Sequence, residues 1–407
     1  MLNNEFLLMN KDEEILRFTS EKNEFQEVLL EQLEETDKVL PIGFGDIQSF
    51  IANRQAPKHR KHIAELLRST GCEDLDGFIR LTHALSLNDT YWVKEAGSKL
   101  AWTEVSLYRN DFNEVVAQMA FEGGVYDLEF SPTSPEYNTD GTYAKCWVRE
   151  PEGIFLIKTG LRKEGIEPFS EFYSSQIANI ICRDSVPYSI GMYHDKLVSK
   201  CPLFTSEEEG YVPAVKLLSF KDYKKISYLL NYFSEMGFED EFRRMLVLDA
   251  LIVNDDRHPG NYGFIVDNQT QQIKRMAPMF DHNHSLFYSQ ESDCLSDMSS
   301  YLNSVTPKIG ADFNQTANLV LTPEIKSDLL NMRGFTFQRD AHLNLPEQRL
   351  QMLEGFINNQ IDNILDCRRL YFYKGVKKSL NEMIEEASGK SDVGSKGVVV
   401  KAKEPAR

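Results

Sequence analysis

The sequence is short of positive charge. Its 407 residues carry 45 Lys and Arg against 62 Asp and Glu, a formal net charge of −17, with a pI near 5.0. Nucleic-acid phosphates repel such a chain unless it segregates a basic patch. The one compact basic run is Lys58-His59-Arg60-Lys61-His62, which reads as a solvated helix face, so direct nucleic-acid binding is not expected. Cysteine is sparse. Cys72, Cys146, Cys182, Cys201, Cys294 and Cys367 stand in no C-x-x-C spacing, which supports neither a zinc site nor a disulfide framework and predicts the reduced thiols of a cytosolic protein. No apolar run reaches the roughly 18 residues of a membrane span. Met1 to Ser20 has no apolar signal-peptide core, so a cytoplasmic location is expected. There is no G-x-G-x-x-G loop and no Walker A loop.

The hydrophobic content of 42% and charged content of 26% are those of a globular protein, and the length predicts two or three folding units. Residues 1 to about 40, rich in glutamate (Glu24, Glu27, Glu31, Glu34, Glu35), read as helical. Pro41-Ile42-Gly43-Phe44-Gly45 breaks that pattern, and Ile47 to Leu67 reads as a second helical stretch around the basic run. Phe78 to Leu81 and Tyr91 to Lys94 predict short packed elements, with Trp92, Trp102 and Tyr108 as packing residues. Residues 1–122 are thus expected to form a mixed N-terminal subdomain, bounded by Gly123-Gly124.

Strand signals follow. Tyr143 to Val148 and Gly153 to Lys158 are joined through Arg149-Glu150-Pro151-Glu152. Glu171 opens an apolar-periodic helix, with Pro168 as breaker and Ser170 as N-cap. Leu197 to Lys200 predicts another strand. Cys201-Pro202-Leu203-Phe204 is where a hinge between lobes falls, and Glu207 to Gly210 reads as a solvated loop. Helices are predicted over Tyr223 to Phe233, Glu239 to Val253, Pro323 to Asn331 (Thr322 as N-cap) and Pro346 to Arg369. In the last of these, Leu350, Leu353, Ile357, Ile361 and Ile364 form a core stripe. Residues 388–407 read as a disordered tail.

The stretch with the most chemistry is Asn254-Asp255-Asp256-Arg257-His258-Pro259-Gly260-Asn261, followed by a hairpin and then Met276-Ala277-Pro278-Met279-Phe280-Asp281. Metal-assisted phosphoryl transfer needs an Asp to orient the acceptor hydroxyl and oxygen ligands for Mg²⁺. Asp256 and Asn261 have the D-x-x-x-x-N spacing of a kinase catalytic loop, and that spacing favours Asp256 over Asp255 as base. Asp281 stands where a second metal-binding Asp follows the hairpin. A Lys ending a strand and a Glu on the next helix, Lys158 and Glu171, form the pair that positions phosphates in kinases. Asp140-Gly141-Thr142 offers backbone N–H groups to phosphate.

These motifs resemble those of the HipA family of bacterial serine/threonine kinases. The resemblance rests on N-D-D-R-H-P-G-N-Y-G-F-I and M-A-P-M-F-D, and more weakly on Gly141-Thr142-Tyr143-Ala144-Lys145, which is similar to the family's phosphate loop. It implies an α+β, bilobal protein-kinase-like fold, with a β-rich N-lobe over 123–204 and a helical C-lobe over 205–387. It implies ATP and Mg²⁺ as cofactors, Asp256 as base, Asn261 and Asp281 as metal ligands, and His258 as a structural loop residue. A protein substrate and, as in some relatives, a paired antitoxin-like regulator are the implied partners. Three other readings stand beside it: a metallohydrolase built on His258, His282 and His284, a nucleotide-binding pseudokinase or scaffold, and a lipid or small-molecule kinase of the same fold.

Overall fold

The fold comes from a computed structural model, which describes residues 4–124, 134–161, 165–218, 224–290, 295 and 298–366. Positions 131–133 ahead of the expected phosphate loop, Tyr223 and Arg369 at helix ends, Cys294, Cys367 and the tail 388–407 lie outside the described residues.

Residues 4–40 hold three strands and no helix: β1 (Glu5–Asn10), β2 (Glu13–Lys22) and β3 (Val28–Glu35). Glutamate content suggested a helix, but period-two burial decided the outcome. Phe6 and Leu8 enter one core while Leu7 and Met9 enter another on the opposite face, as only a strand allows. β3 is the sheet edge, and Glu31, Glu34 and Glu35 stay exposed there, where charge discourages edge-to-edge pairing. The module continues with α1 (Ile47–Ala52), α2 (Ile63–Ser69), α3 (Leu75–Thr82), β4 (Tyr91–Glu95), α4 (Trp102–Val105) and α5 (Glu114–Glu122). Its sheet order is β3-β2-β1-β4. Asp46, Asp74 and Asn113 cap their helices with side-chain oxygens. The helix expected over 47–67 is therefore two short helices, and the basic run is the irregular link between them.

A second antiparallel sheet, of order β5-β6-β8-β7, contains β5 (Lys145–Glu150), β6 (Gly153–Thr159), β7 (Ser189–Tyr193) and β8 (Lys196–Pro202). Helix α6 (Ile166–Ile181) joins β6 to β7 and starts five residues earlier than the sequence suggested. Gly165, in the left-handed region, precedes it, and Pro168 lies within its first turn, where a missing N–H costs nothing. Ser170 is buried inside the helix and is not its cap.

The rest is mainly helical, as the α+β class requires: β9 (Glu209–Pro213), α7 (Ile226–Glu235), α8 (Glu239–Ile252), the hairpin β10 (Gly263–Asp267) and β11 (Ile273–Met276), α9 (Met298–Ser304), α10 (Phe313–Leu319), α11 (Pro323–Asn331) and α12 (Glu347–Leu365). α8 packs against α6, α7, α10 and α12, which explains its nearly continuous burial. The five stripe residues of α12 are all fully buried in this core. Glu207 to Gly210 is not a solvated loop. Glu209 opens β9, which pairs with β10, and the Glu207 carboxylate takes hydrogen bonds from Trp102, Ser106 and Arg109 of the N-terminal module.

Candidate active site

Helix α8 ends at Val253, a β-branched residue held at φ +53°, a backbone conformation that costs energy and clusters at functional sites. The turn it creates throws Asn254–Asn261 back across the helix end. Inside this loop the Asn254 side-chain oxygen accepts from the Asp256 N–H at 3.0 Å, and the Asn261 amide donates to the Asp256 carbonyl at 3.1 Å. Asp256 and Asn261 are thereby set side by side on one loop, both facing the cleft.

Sequence reasoning missed the residue that anchors this loop. Arg257 is buried and pairs with Asp249 of α8 at 3.0 Å. It also donates to the carbonyls of Asn261 at 3.1 Å and Phe280 at 2.6 Å, and its Nη2 lies 3.1 Å from His282 Nδ1. One guanidinium fork thus joins the loop to the end of the hairpin that bears Asp281. Arg257 carries the buried anchoring of the loop, while His258, expected to be a structural loop residue, contributes one local contact. The His258 side chain is exposed, and its Nδ1 accepts from the Gly260 N–H.

Asp281 has φ +57°, and its N–H donates to the Tyr188 hydroxyl at 3.1 Å. Its Oδ1 lies 2.6 Å from Lys158 Nζ, which is also 2.5 Å from Glu171 Oε1. Glu171 is completely buried behind Lys158 and does not line the cleft. Its other oxygen accepts from Ser199 Oγ at 2.7 Å, and Ser199 is the β8 register partner of Lys158. Burial opposes the Lys158 ammonium, but Asp281 and Glu171 outweigh it and hold its pKa above the ordinary value. Burial likewise opposes the Asp281 carboxylate, yet Lys158, Lys145 and Arg257 keep it well below the usual carboxylate range. Asp281 is therefore an anion at neutral pH.

The expected phosphate loop runs into β5. The Gly141 N–H donates to Asp140 Oδ1 at 2.7 Å. Gly141 has φ +94°, a backbone conformation that favours glycine, and a Cβ there would fall 2.4 Å from Lys145 Nζ and displace that ammonium. Lys145 is the register partner of Lys158 and donates to the Asp140 carbonyl at 2.5 Å. Burial, reinforced by Lys158 and Arg60, pushes its ammonium down to about 7. Tyr143 Oη lies 2.8 Å from His284 Nε2, and His284 Nδ1 lies 3.3 Å from Asp255. This chain connects the phosphate loop to the residue beside Asp256. Lys308 Nζ lies 3.5 Å from Asp256 Oδ1. No local sequence signal marks these partners, because they come from distant segments.

Asp140, Gly141, Thr142, Lys145, Lys158, Asp256, Asn261 and Asp281 all face one cleft of about 900 Å³. Its apolar end contains Leu156, Val186, Leu203, Phe204 and Phe280. Phe204, Phe280 and Tyr211 pack with ring centroids 5.3–5.6 Å apart. The N-terminal module contributes a wall through Leu87 and Asn88, whose carbonyls accept from Tyr108 and from the Tyr211 N–H. An apolar slot ending in two lysines, two aspartates and an amide suits a nucleotide triphosphate. The hard oxygens of Asp281 and Asn261 suit Mg²⁺, which binds through one or two carboxylates and completes its shell with phosphate and water. Among the described residues no group of three or more His, Cys, Asp or Glu is placed to hold a metal, and His282 is engaged with Arg257.

No family model matches the chain. The chain is 29% identical over 138 residues to the serine/threonine-protein kinase CtkA of Helicobacter pylori (strain J99), a match that covers 31% of this chain and 42% of that relative. The chain thus spans less than half the length of the curated relative. Among solved structures, the crystal structure of the H. pylori proinflammatory kinase CtkA aligns over 56% of this chain and 90% of its own, at 19% identity and TM-score 0.42. HipA of Shewanella oneidensis MR-1, solved with HipB and its operator DNA, aligns over 89% of this chain and 97% of its own, at 11% identity and TM-score 0.49. The chain is thus similar in sequence, over part of its length, to a serine/threonine-protein kinase, and it has an α+β architecture.

Proposed function

We propose that the protein is an ATP-dependent kinase that phosphorylates Ser or Thr of a protein substrate with Mg²⁺. One observation carries this reading: Lys158 lies within ion-pair distance of both Glu171 and Asp281, in a cleft that Asp256 and Asn261 also face. This is the set of charges phosphoryl transfer requires. Glu171 holds the ammonium of Lys158 toward the cleft, where it contacts donor phosphates. Asp281 and Asn261 are the ligands for Mg²⁺, which when bound neutralises charge developing on the transferred phosphoryl group. Asp256 accepts the hydrogen bond of the acceptor hydroxyl and orients its oxygen for attack. The backbone N–H groups of Asp140–Thr142 cradle phosphate, that of Gly141 by exchanging the Asp140 carboxylate it now meets for a phosphate oxygen, and the apolar end of the cleft excludes water around the base.

In this reading residues 123–204 are the N-lobe, 205–387 the C-lobe, of which 367–387 lie outside the described residues, and 1–122 an added subdomain. The setting is cytoplasmic; among the described residues no helix is long and apolar enough to cross a membrane. A protein substrate and a paired antitoxin-like regulator are the partners the reading carries. Calorimetric titration with ATP, with and without EDTA, tests its core. Affinity that falls sharply when the metal is chelated is expected. Metal-independent binding, or none, overturns the assignment of the site.

A further inference from the structure

The basic run at 58–62 supplies no group to the proposed phosphoryl transfer, although His59 lines the cleft, and its central residue is almost completely buried. Arg60 Nη1 donates to the carbonyls of Glu136 at 2.8 Å and Thr139 at 3.1 Å, and Nη2 donates to the carbonyl of Lys145 at 2.7 Å. These three carbonyls bracket the phosphate loop. Two backbone bonds flank the fork: Ala56 N–H to the Tyr137 carbonyl at 2.7 Å and Lys61 N–H to the Thr142 carbonyl at 3.1 Å. Five hydrogen bonds thus run from one short link in the N-terminal module to the loop between Glu136 and Lys145.

Among the described residues Arg60 forms no ion pair. A buried guanidinium whose carboxylate neighbours, Glu136 and Asp140, act on it only from beyond ion-pair distance is a costly way to fill space, since an apolar side chain of similar volume avoids the desolvation. Only the planar fork, with its fixed set of donors, holds three divergent carbonyls at once. The loop segment from Thr139 to Ala144 belongs to no strand, so its conformation depends on such contacts.

We infer that Arg60 is a positioning residue for the phosphoryl donor: the N-terminal module sets the phosphate loop through this clamp. The inference rests on the nucleotide reading of the cleft for its effect on ATP, but not for its effect on the loop. It gives residues 1–122 a part in the site, because any partner that displaces the 56–61 link would loosen the loop.

The test uses the full chain and two readouts. Hydrogen exchange, measured without nucleotide, follows the backbone amides of 139–144. Calorimetry follows binding of Mg²⁺-ATP, and steady-state assays separate KM from kcat. In Arg60→Met the loop amides should exchange at least about 10-fold faster while those of α8 keep their protection, and the Kd for ATP should rise about 10- to 100-fold, since hydrogen bonds to a charged donor are lost. KM should rise more than kcat falls. Arg60→Lys, which keeps the charge but not the fork, should lie between wild type and Arg60→Met. Lys58→Ala, an exposed change in the same basic run, should match wild type. A folded Arg60→Met with wild-type loop exchange overturns the clamp, as does a Lys58→Ala variant equally impaired. If Arg60→Met does not fold, Arg60→Lys decides: a wild-type loop in that variant reduces Arg60 to a folding residue. Faster loop exchange together with no ATP binding by the wild type would leave the clamp standing and overturn the nucleotide reading.

Discussion

Removing Glu171 tests the centre of the site most directly. The pair it forms with Lys158 is at 2.5 Å, with side-chain exposures of 1% and 8%. At an effective dielectric constant of about 20, two unit charges at that distance attract by roughly 7 kcal/mol before desolvation is counted. Breaking a buried pair by deleting one partner ordinarily costs about 3–5 kcal/mol, mostly for the charge left behind. Here that charge is not abandoned, because Asp281 remains 2.6 Å from the same ammonium. The coupling between Lys158 and Glu171 should therefore fall to about 2–3 kcal/mol, roughly a 30- to 150-fold factor in kcat/KM. The loss has a mechanism: without Glu171 the ammonium is drawn wholly to Asp281 and away from phosphate. The assay is phosphotransfer kinetics for Lys158→Ala, Glu171→Ala and the double variant. The double variant should be little worse than the more damaged single one. A double loss equal to the product of the two single losses would refute the pairing as the route by which Glu171 acts.

Further outcomes follow from the same geometry. Asp256→Asn should leave Mg²⁺-ATP binding nearly intact while turnover falls by roughly 10²–10⁴-fold, whereas Asp281→Asn should weaken metal-dependent binding and turnover together. Asp255→Asn should cost much less; if it proves the dead variant, the register of the loop is wrong. Lys145 gives a pH signature. Its ammonium is pushed down to about 7 by burial, against an ordinary value of about 10.4. Between those values the unfolded chain holds a proton that the folded chain does not, so this group's contribution to stability rises with pH across that window and is lost as pH falls to 7. Lys145→Met should therefore raise the Tm most near pH 6 and lose that advantage by pH 10; a pH-independent difference counts against it. Bound phosphate favours the ammonium, so ATP affinity in the wild type should decline as pH rises above 7, with proton uptake measurable by calorimetry in two buffers. Arg257→Met should lower stability by about 3–5 kcal/mol in chemical denaturation, by stranding Asp249, and pairing it with Asp249→Leu should recover part of the loss.

Where local pattern and environment agreed, the elements were legible before the fold was known. β5, β6 and β8 showed as apolar runs between turn residues, α11 as Thr322-Pro323 before a periodic segment, and α12 as a stripe. The loop from Asn254 to Asn261 and the hairpin to Asp281 were visible because their order, helix then loop then hairpin then carboxylate, is local in sequence. Composition misled where it stood in for periodicity. The glutamates of 24–35 suggested a helix, but the alternating burial of Phe6 to Met9 and of the residues paired with them made strands.

The candidate side chains were legible in the sequence: the lysine on a strand, the glutamate on the next helix, the two aspartates and the amide. Spacing constrains neighbours within a few residues, and each of these belongs to such a short motif. Beyond the Lys158–Glu171 pair, the partners emerge only in the fold. Arg60 meets carbonyls more than seventy residues away, Tyr143 meets His284 across 141 positions, and Lys158 meets Asp281 across 123. The charge state of Lys145 was likewise invisible, because it depends on what surrounds the ammonium and not on its place in the chain. Contacts of this range exist only when the sheets and helices have packed, since burial and the loss of competing water make such partners count.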